Sequence, residues 1–421
     1  MIDIKILRQN PEGIRKTCQD KQVEVDIDRI INLDEKRRRL IKENEKLKSE
    51  HNRLSKEISC SEGEERQRLI AQAKDLIKKT KQSDEDLQET NGEFNKFFLQ
   101  IPNPALPDVK VGKNDQENEV IKKWGKIPEF SFPAKDHLIL GQELDLIDVD
   151  RAGKVSGSRF SYLKNEAVVL EYALVRFVFD KLIKRGFIPV VPPVMVKSEA
   201  MRSMGYLERG EEEVYRTVQD DFYLVGTSEQ SVGPMHMNEI LEKEKMPRRY
   251  ISFSTCFRRE AGSYGQDVKG ILRVHQFDKI EMFSFCLPEK STGEHAFLLQ
   301  TEEKLVQALE IPYQVVKMCT GDLGDPAAAK YDIECWMPGQ DKYRETHSTS
   351  NCTDFQARRL NVKYRNKEGN LEFVHTLNGT AFAIGRILIA ILENHQQKDG
   401  SVKVPRALRK YVNFKKIYRK K

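Results

Sequence analysis

The sequence predicts an α+β protein: a body built on an antiparallel sheet with helices, preceded by an N-terminal antiparallel two-helix coiled coil. Three observations carry this. Apolar residues recur at heptad spacing in two long stretches between about 27 and 98, a proline-rich segment follows, and beyond residue 160 strand-like runs stand close together. Strands with few helices between them favour antiparallel pairing over a doubly wound sheet, where each parallel crossover needs a long connection.

The first stretch sets Leu33, Leu40, Leu47 and Leu54 seven residues apart, with Ile30 and Ile58 at the complementary core spacing. Arg37, Asn44 and His51 make this seam partly polar. A break at Cys60-Ser61-Glu62-Gly63-Glu64 follows, and then Leu69, Ala73, Leu76, Thr80, Ser83, Leu87, Thr90, Phe94 and Phe97 alternate by four and three. Two such segments around a short turn should fold back on each other and, at ~1.5 Å rise per residue, project roughly 45–50 Å. Periodicity alone fits an oligomerisation coiled coil. The basic run Lys36-Arg37-Arg38-Arg39, echoed by Lys78, Lys79 and Lys81, also fits a surface that tracks phosphates.

Pro102, Pro104 and Pro107 end the helical pattern, and residues 99–130 read as an exposed linker. The expected domains are 1–110, with the hairpin at about 27–98, and 111–421. In the second, an amphipathic helix from Leu163 to Arg185 stops at Gly186, and Phe187 to Val196 is extended. Strands are expected at 221–226, 250–259, 271–286, 331–337, 343–349 and 371–377, the last running into an apolar helix from 381.

Of the 421 residues, 32% are charged and 8% aromatic, as suits a well-solvated surface with one elongated, charged piece. The net charge of +6 permits nucleic-acid binding without requiring it. Seven cysteines stand singly with no Cys-x-x-Cys pair, which points away from a disulfide framework or structural zinc. The opening Met1-Ile2-Asp3-Ile4-Lys5 has no apolar signal region, and no apolar run approaches membrane-spanning length. A soluble, cytoplasmic protein with no membrane association is expected.

Candidate chemistry lies in the second domain. In Ile251–Glu260, alternation puts Ser252, Ser254, Cys256, Arg258 and Glu260 on one strand face. After a loop containing Gly262, Gly265 and Gly270, Arg273, Phe277 and Glu281 share a face of the next strand. A hairpin of the two gathers arginines, glutamates and a ring that can clamp phosphate or carboxylate and stack a base. The bland alternative is a surface ion-pair ladder. Glu345 and Ser348 are three apart, so a bulge or strand end is expected between them, and their oxygens suit a hard cation such as Mg²⁺. Gly379 and Gly385 permit close backbone approach at a strand-to-helix junction, with Arg386 beside the sheet. No phosphate loop, dinucleotide fingerprint or nucleophile elbow is present.

These segments resemble the three motifs of class II aminoacyl-tRNA synthetases, and specifically those of the seryl-tRNA synthetase family. Gly186-Phe-Ile-Pro-Val-Val-Pro-Pro193 is similar to motif 1, Phe257 through Phe277 to motif 2, and Asn378 through Arg386 to motif 3. Thr227-Ser-Glu229, Ser350-Asn-Cys-Thr-Asp-Phe-Gln-Ala-Arg-Arg359, Leu392-Glu-Asn-His-Gln396 and the opening Ile2–Pro11 tighten the match, which spans nearly the whole chain. The resemblance implies a class II catalytic domain that uses ATP and Mg²⁺ to load L-serine onto tRNA(Ser), with tRNA(Sec) as a further candidate. It also implies a homodimer joined near Pro193 and a helical arm that grips the long variable arm of serine tRNAs.

Carried over residue by residue, the resemblance gives Arg258, Arg386 and Glu345 catalytic roles. Arg258 bridges the ATP α-phosphate and the serine carboxylate, Glu260 meets the adenine amino group, Phe277 stacks on the ring, and Val274 lines the nucleotide pocket through its backbone. Arg386 and Arg273 hold the outer phosphates, Arg259, Thr346 and His347 complete the ATP site, and Glu345 with Ser348 coordinates Mg²⁺. Thr227 and Glu229 lie at the serine amino group, Glu281 and Thr380 face its hydroxyl, and Ser228 and Asn378 are further serine-binding residues. Ser228 and Thr380 stand where alanine and serine are frequent in the family, and Thr346-His347 replaces a more apolar or serine pair.

Overall fold

The computed structural model describes residues 1–261 and 270–419, so the loop glycines Gly262 and Gly265, with Ser263, and the final Lys420-Lys421 lie outside the described residues. The chain divides into two compact units, Ile2–Pro102 and Asn103–Lys421 with Met1.

The first unit holds helices α1 (Ile4–Gln9), α2 (Pro11–Asp20), α3 (Ile27–Ser59) and α4 (Gly63–Phe98). Their starts are written in the sequence. Asp3 and Asp26 accept from backbone N–H groups of the first turns of α1 and α3, and Asn10 caps α2 ahead of Pro11. Along the α3–α4 seam Ile30, Leu33, Leu54, Ala73, Leu76 and Phe94 are buried. Two of the polar seam positions are matched across it. Asn44 donates to Asp84 at 2.9 Å, and the Arg37 guanidinium lies 4.5 Å from the Phe94 ring centroid. Lys36, Arg38, Arg39, Lys78, Lys79 and Lys81 are exposed.

The second unit is organised by one sheet. The elements that position the site are, in chain order, β1 (Glu119–Trp124), α5 (Glu166–Leu182), β2 (Ile188–Val190), α6 (Ser198–Met204), α7 (Glu229–Val232), β3 (Arg248–Phe257) and β4 (Gln276–Cys286). After these come α8 (Ser291–Ala308), β5 (Tyr313–Lys317), β6 (Ala329–Met337), β7 (Lys342–Asn351), α9 (Phe355–Leu360), β8 (His375–Ala383) and α10 (Ile384–Asn394). Among the described residues the eight strands run in the order β1-β5-β6-β7-β8-β4-β3-β2. Every neighbouring pair is antiparallel except β2 with β3. The helices α8 and α10 pack on one face of this sheet, where Leu298, Ile387, Leu388 and Ile391 join Ile280, Met282 and Phe382 in the core. The other face opens into a cavity.

Three details depart from expectation. The segment 99–130 is not all linker, because Glu119–Trp124 forms the edge strand β1 against β5. All six of its residues are exposed, so it carries no apolar alternation to reveal it; its anchor is Trp124 stacked on Tyr313, centroids 5.6 Å apart. The second hairpin strand starts at Gln276 rather than 271, and the first ends at Phe257, so Arg258, Glu260 and Arg273 sit beyond the strands. Gly379 lies within β8 rather than at its junction with α10, and a Cβ there would come within 2.7 Å of Glu302 Oε1. The irregularity expected between Glu345 and Ser348 is present: opposite them Ile333 pairs with His347 but Glu334 with Glu345, leaving Thr346 bulged.

Candidate active site

Alternation along β3, β4, β7 and β8 sends polar side chains to the helix-free face of the sheet, around a cavity of about 710 Å³. Of the expected site residues, all but Ser228, Arg259 and His347 line it. Ser228 is fully buried, its Oγ 2.7 Å from Ser252 Oγ. His347 turns to the helix face and packs edge-on to Phe382, and burial lowers its pKa to about 3, leaving a neutral ring. Arg259 is exposed, its backbone N–H donating to Glu213 O at 2.9 Å.

At one end of the cavity, Arg258 sits 5.3 Å from the Phe277 ring centroid, its Nε donating to Gly226 O at 3.1 Å. Glu260 adopts a left-handed backbone (φ +52°), sparsely populated for a non-glycine residue, and pairs with Arg273 at 3.2 Å. Arg386 Nη1 donates to Glu345 O at 2.9 Å and to its carboxylate at 3.0 Å. Burial works to raise the Glu345 pKa, yet Arg386 and Lys330 together hold it down near 2. Glu345 is therefore ionised at neutral pH.

At the other end, Ser252 faces Glu281 across the β3–β4 ladder, and Thr380 faces Glu281 across β4–β8. Thr380 Oγ1 donates to Glu281 Oε2 at 3.3 Å. Glu229, at the start of α7, is buried, and burial followed by the charge of Glu281 raises its pKa. Thr227 Oγ1 accepts from the Glu229 backbone N–H at 3.3 Å.

The structure adds residues that the sequence pattern had not singled out. Lys279 places its Nζ 2.5 Å from Glu281 Oε2 and is almost fully buried. It shares the two-residue alternation of Phe277 and Glu281, so the same count would have found it. Lys330 on β6 lines the cavity beside Asp332, 3.4 Å away. Burial raises Asp332 to about 7 despite Lys330. Tyr206 enters from the turn after α6, where no periodicity announces it.

An anion-clamping, ring-bearing cavity on one face of an antiparallel sheet, helices on the other, is the core of a class II tRNA synthetase. Residues 213–395 match the profile of the "tRNA synthetase class II core domain (G, H, P, S and T)", and residues 1–105 match that of the "Seryl-tRNA synthetase N-terminal domain". The chain is 47% identical over 425 residues to the serine–tRNA ligase of Dictyoglomus turgidum, covering 100% of both. It superposes with TM-score 0.92 on seryl-tRNA synthetase from Pyrococcus horikoshii, solved with ATP, at 41% identity and 100% coverage of both chains. With the cytoplasmic serine–tRNA ligase of Naegleria fowleri, solved with AMP, the TM-score is 0.87 at 34% identity, covering 100% of this chain and 99% of that one. The chain belongs to the seryl-tRNA synthetase family.

Proposed function

We propose that this chain activates L-serine with ATP and transfers the seryl group from seryl-adenylate to the 3′ end of tRNA(Ser). One observation carries the reading: a single cavity holds the Arg258–Phe277 pair at one end and the Glu281–Thr380 pair at the other. The first pair suits a nucleotide, the second a small hydroxylated side chain.

The serine carboxylate attacks the α-phosphorus in line and pyrophosphate leaves, so no protein nucleophile is required. The residues position and neutralise charge. Phe277 stacks the adenine, with Glu260 at its amino group. Arg258 bridges carboxylate and α-phosphate, and Arg386 with Arg273 holds the outer phosphates. Glu229 and Thr227 take the serine ammonium, and Glu281 with Thr380 and Asn378 meets the side chain. Glu345 and Ser348 fit Mg²⁺ as hard oxygen donors, the first ionised and reached by solvent. Among the described residues no group of three acidic, cysteine or histidine side chains could hold a metal alone, so substrate phosphates would complete the shell. Mg²⁺, when bound, would offset charge on those phosphates.

The first unit, Ile2–Pro102, would be the tRNA-binding domain and the second, from Asn103, the catalytic one. The exposed lysines and arginines of α3 and α4 would follow the backbone of the tRNA variable arm. A homodimer would join through the surface around Pro193, where Ile188 and Val191 leave apolar side chains in solvent, Val191 83% exposed. Among the described residues no helix is long and apolar enough to cross a membrane; a cytoplasmic location belongs to the same proposal. ATP–pyrophosphate exchange with each of the twenty amino acids tests the central reading. Strong exchange with serine alone is expected; exchange driven by another amino acid, or by none, sinks it.

A further inference from the structure

The segment Ser350–Arg359 carries part of the family resemblance, yet only Ser350 and Cys352 from it line the cavity. Its Gln356, on α9, is fully buried and reaches the site indirectly. Gln356 Nε2 donates to Glu229 Oε1 at 2.8 Å, while Gln356 Oε1 accepts from Thr376 Oγ1 at 2.7 Å. The ionised Glu229 and the Met204 carbonyl can only accept, so they set the amide nitrogen on their side, and the Thr376 hydroxyl donates to the oxygen left on the other. From the other side Tyr206 Oη donates to Glu229 Oε2 at 3.0 Å. Burial, then the charge of Glu229, pushes the phenol pKa well above its ordinary value, so Tyr206 stays a donor. Among the described residues each carboxylate oxygen is thus held by one protein donor and retains acceptor capacity.

The geometry points to Tyr206 and Gln356 as positioning residues that orient Glu229 to receive the ammonium of the amino-acid substrate. This rests on the proposed place of Glu229 at the serine amino group. The groups around Glu229 compete over its charge. Burial and Glu281 favour the neutral acid, while Gln356, Lys279 and Tyr206 favour the carboxylate. Arg258 and Cys352 act on Tyr206 from the cavity side. A neutral acid at this depth would offer an ammonium no countercharge, so the two donors support binding as well as direction.

Steady-state ATP–pyrophosphate exchange on the full-length Tyr206→Phe, Gln356→Glu and Glu229→Gln proteins tests this. Tyr206→Phe and Gln356→Glu are each expected to raise KM for serine about tenfold or more. KM for ATP and kcat at saturating serine should stay within about twofold. Losing either donor raises the Glu229 pKa, so the acid limb of kcat/KM for serine should move to higher pH. Glu229→Gln should raise KM for serine as well. If Glu229→Gln does so while Tyr206→Phe leaves both KM and the acid limb in place, the positioning role is overturned. If Glu229→Gln leaves KM for serine unchanged, the ammonium-acceptor reading itself falls, and the inference with it. Tyr206→Phe removes one oxygen only, so the test stands even where Gln356→Glu fails to fold.

Discussion

The Lys279 ammonium lies 2.5 Å from Glu281 Oε2, and Thr380 Oγ1 donates to the same oxygen at 3.3 Å. Both contacts fall on Oε2, so the proposed function gives Oε1 to a ligand hydroxyl. A charge-assisted bond of this kind contributes on the order of 1.5–3 kcal/mol. Replacing Lys279 with methionine removes the cation while keeping most of the volume. Serine KM is expected to rise about tenfold or more by that magnitude, with ATP affinity retained; parallel loss of both in exchange assays would contradict the assignment.

Glu281→Ala asks the same pocket about discrimination. A site built to meet a hydroxyl rejects the analogue lacking it by roughly 10⁴–10⁵, because its buried polar group is left unpaired. The variant should depress serine activation far more than it alters ATP binding, and its preference for serine over alanine should collapse. Equal effects on serine and ATP would refute the assignment.

Arg386 serves the opposite end. Burial works against its charge, but Glu345 holds it firmly protonated. Arg386→Ala is expected to lower kcat by about 10²–10³, the usual effect of losing a preorganised charge, with serine KM little changed. A normal kcat would remove Arg386 from the chemistry.

Glu302 on α8 is fully buried behind the sheet, and among the described residues neither carboxylate oxygen has a hydrogen-bond partner. Burial first, then Glu281, Asp332 and Glu303, raise its pKa well above the ordinary value, against Lys279. Because the folded pKa is raised, the folded state keeps a proton that the unfolded chain loses above its ordinary pKa. Stability from this group is therefore present at acid pH and falls as pH rises. Glu302→Gln, neutral at every pH and of similar size, should melt higher than the parent at pH 8 and gain less at pH 5. Equal gains in Tm at both pH values would show that this carboxyl does not titrate as described.

Deletion of residues 30–95 removes most of α3 and α4. Serine-dependent pyrophosphate exchange should persist while tRNA charging is lost. Charging that survived the deletion would assign the arm another task.

Legibility followed the period of the signal. The heptads of residues 27–98 could only be helices, and the proline run could only end them, because spacing and missing N–H groups act locally. The alternation 277, 281 and the offset 345, 348 likewise located one face and one bulge before any neighbour was known. Strand β1 carries no such period because an exposed edge strand buries nothing, and in α8 the buried Glu294, His295, Glu302 and Glu303 break the apolar stripe.

The sequence by itself determined the elements, the charge each carries and the family motifs, all of which are properties of neighbouring residues. Only the tertiary structure decided that His347 and Ser228 turn inward, that Lys279 answers Glu281, and that Gln356 and Tyr206 hold Glu229 from two sides. Those outcomes depend on which strands and helices meet across long sequence separations. Burial and pairing are properties of the assembled pocket, and no local pattern encodes them.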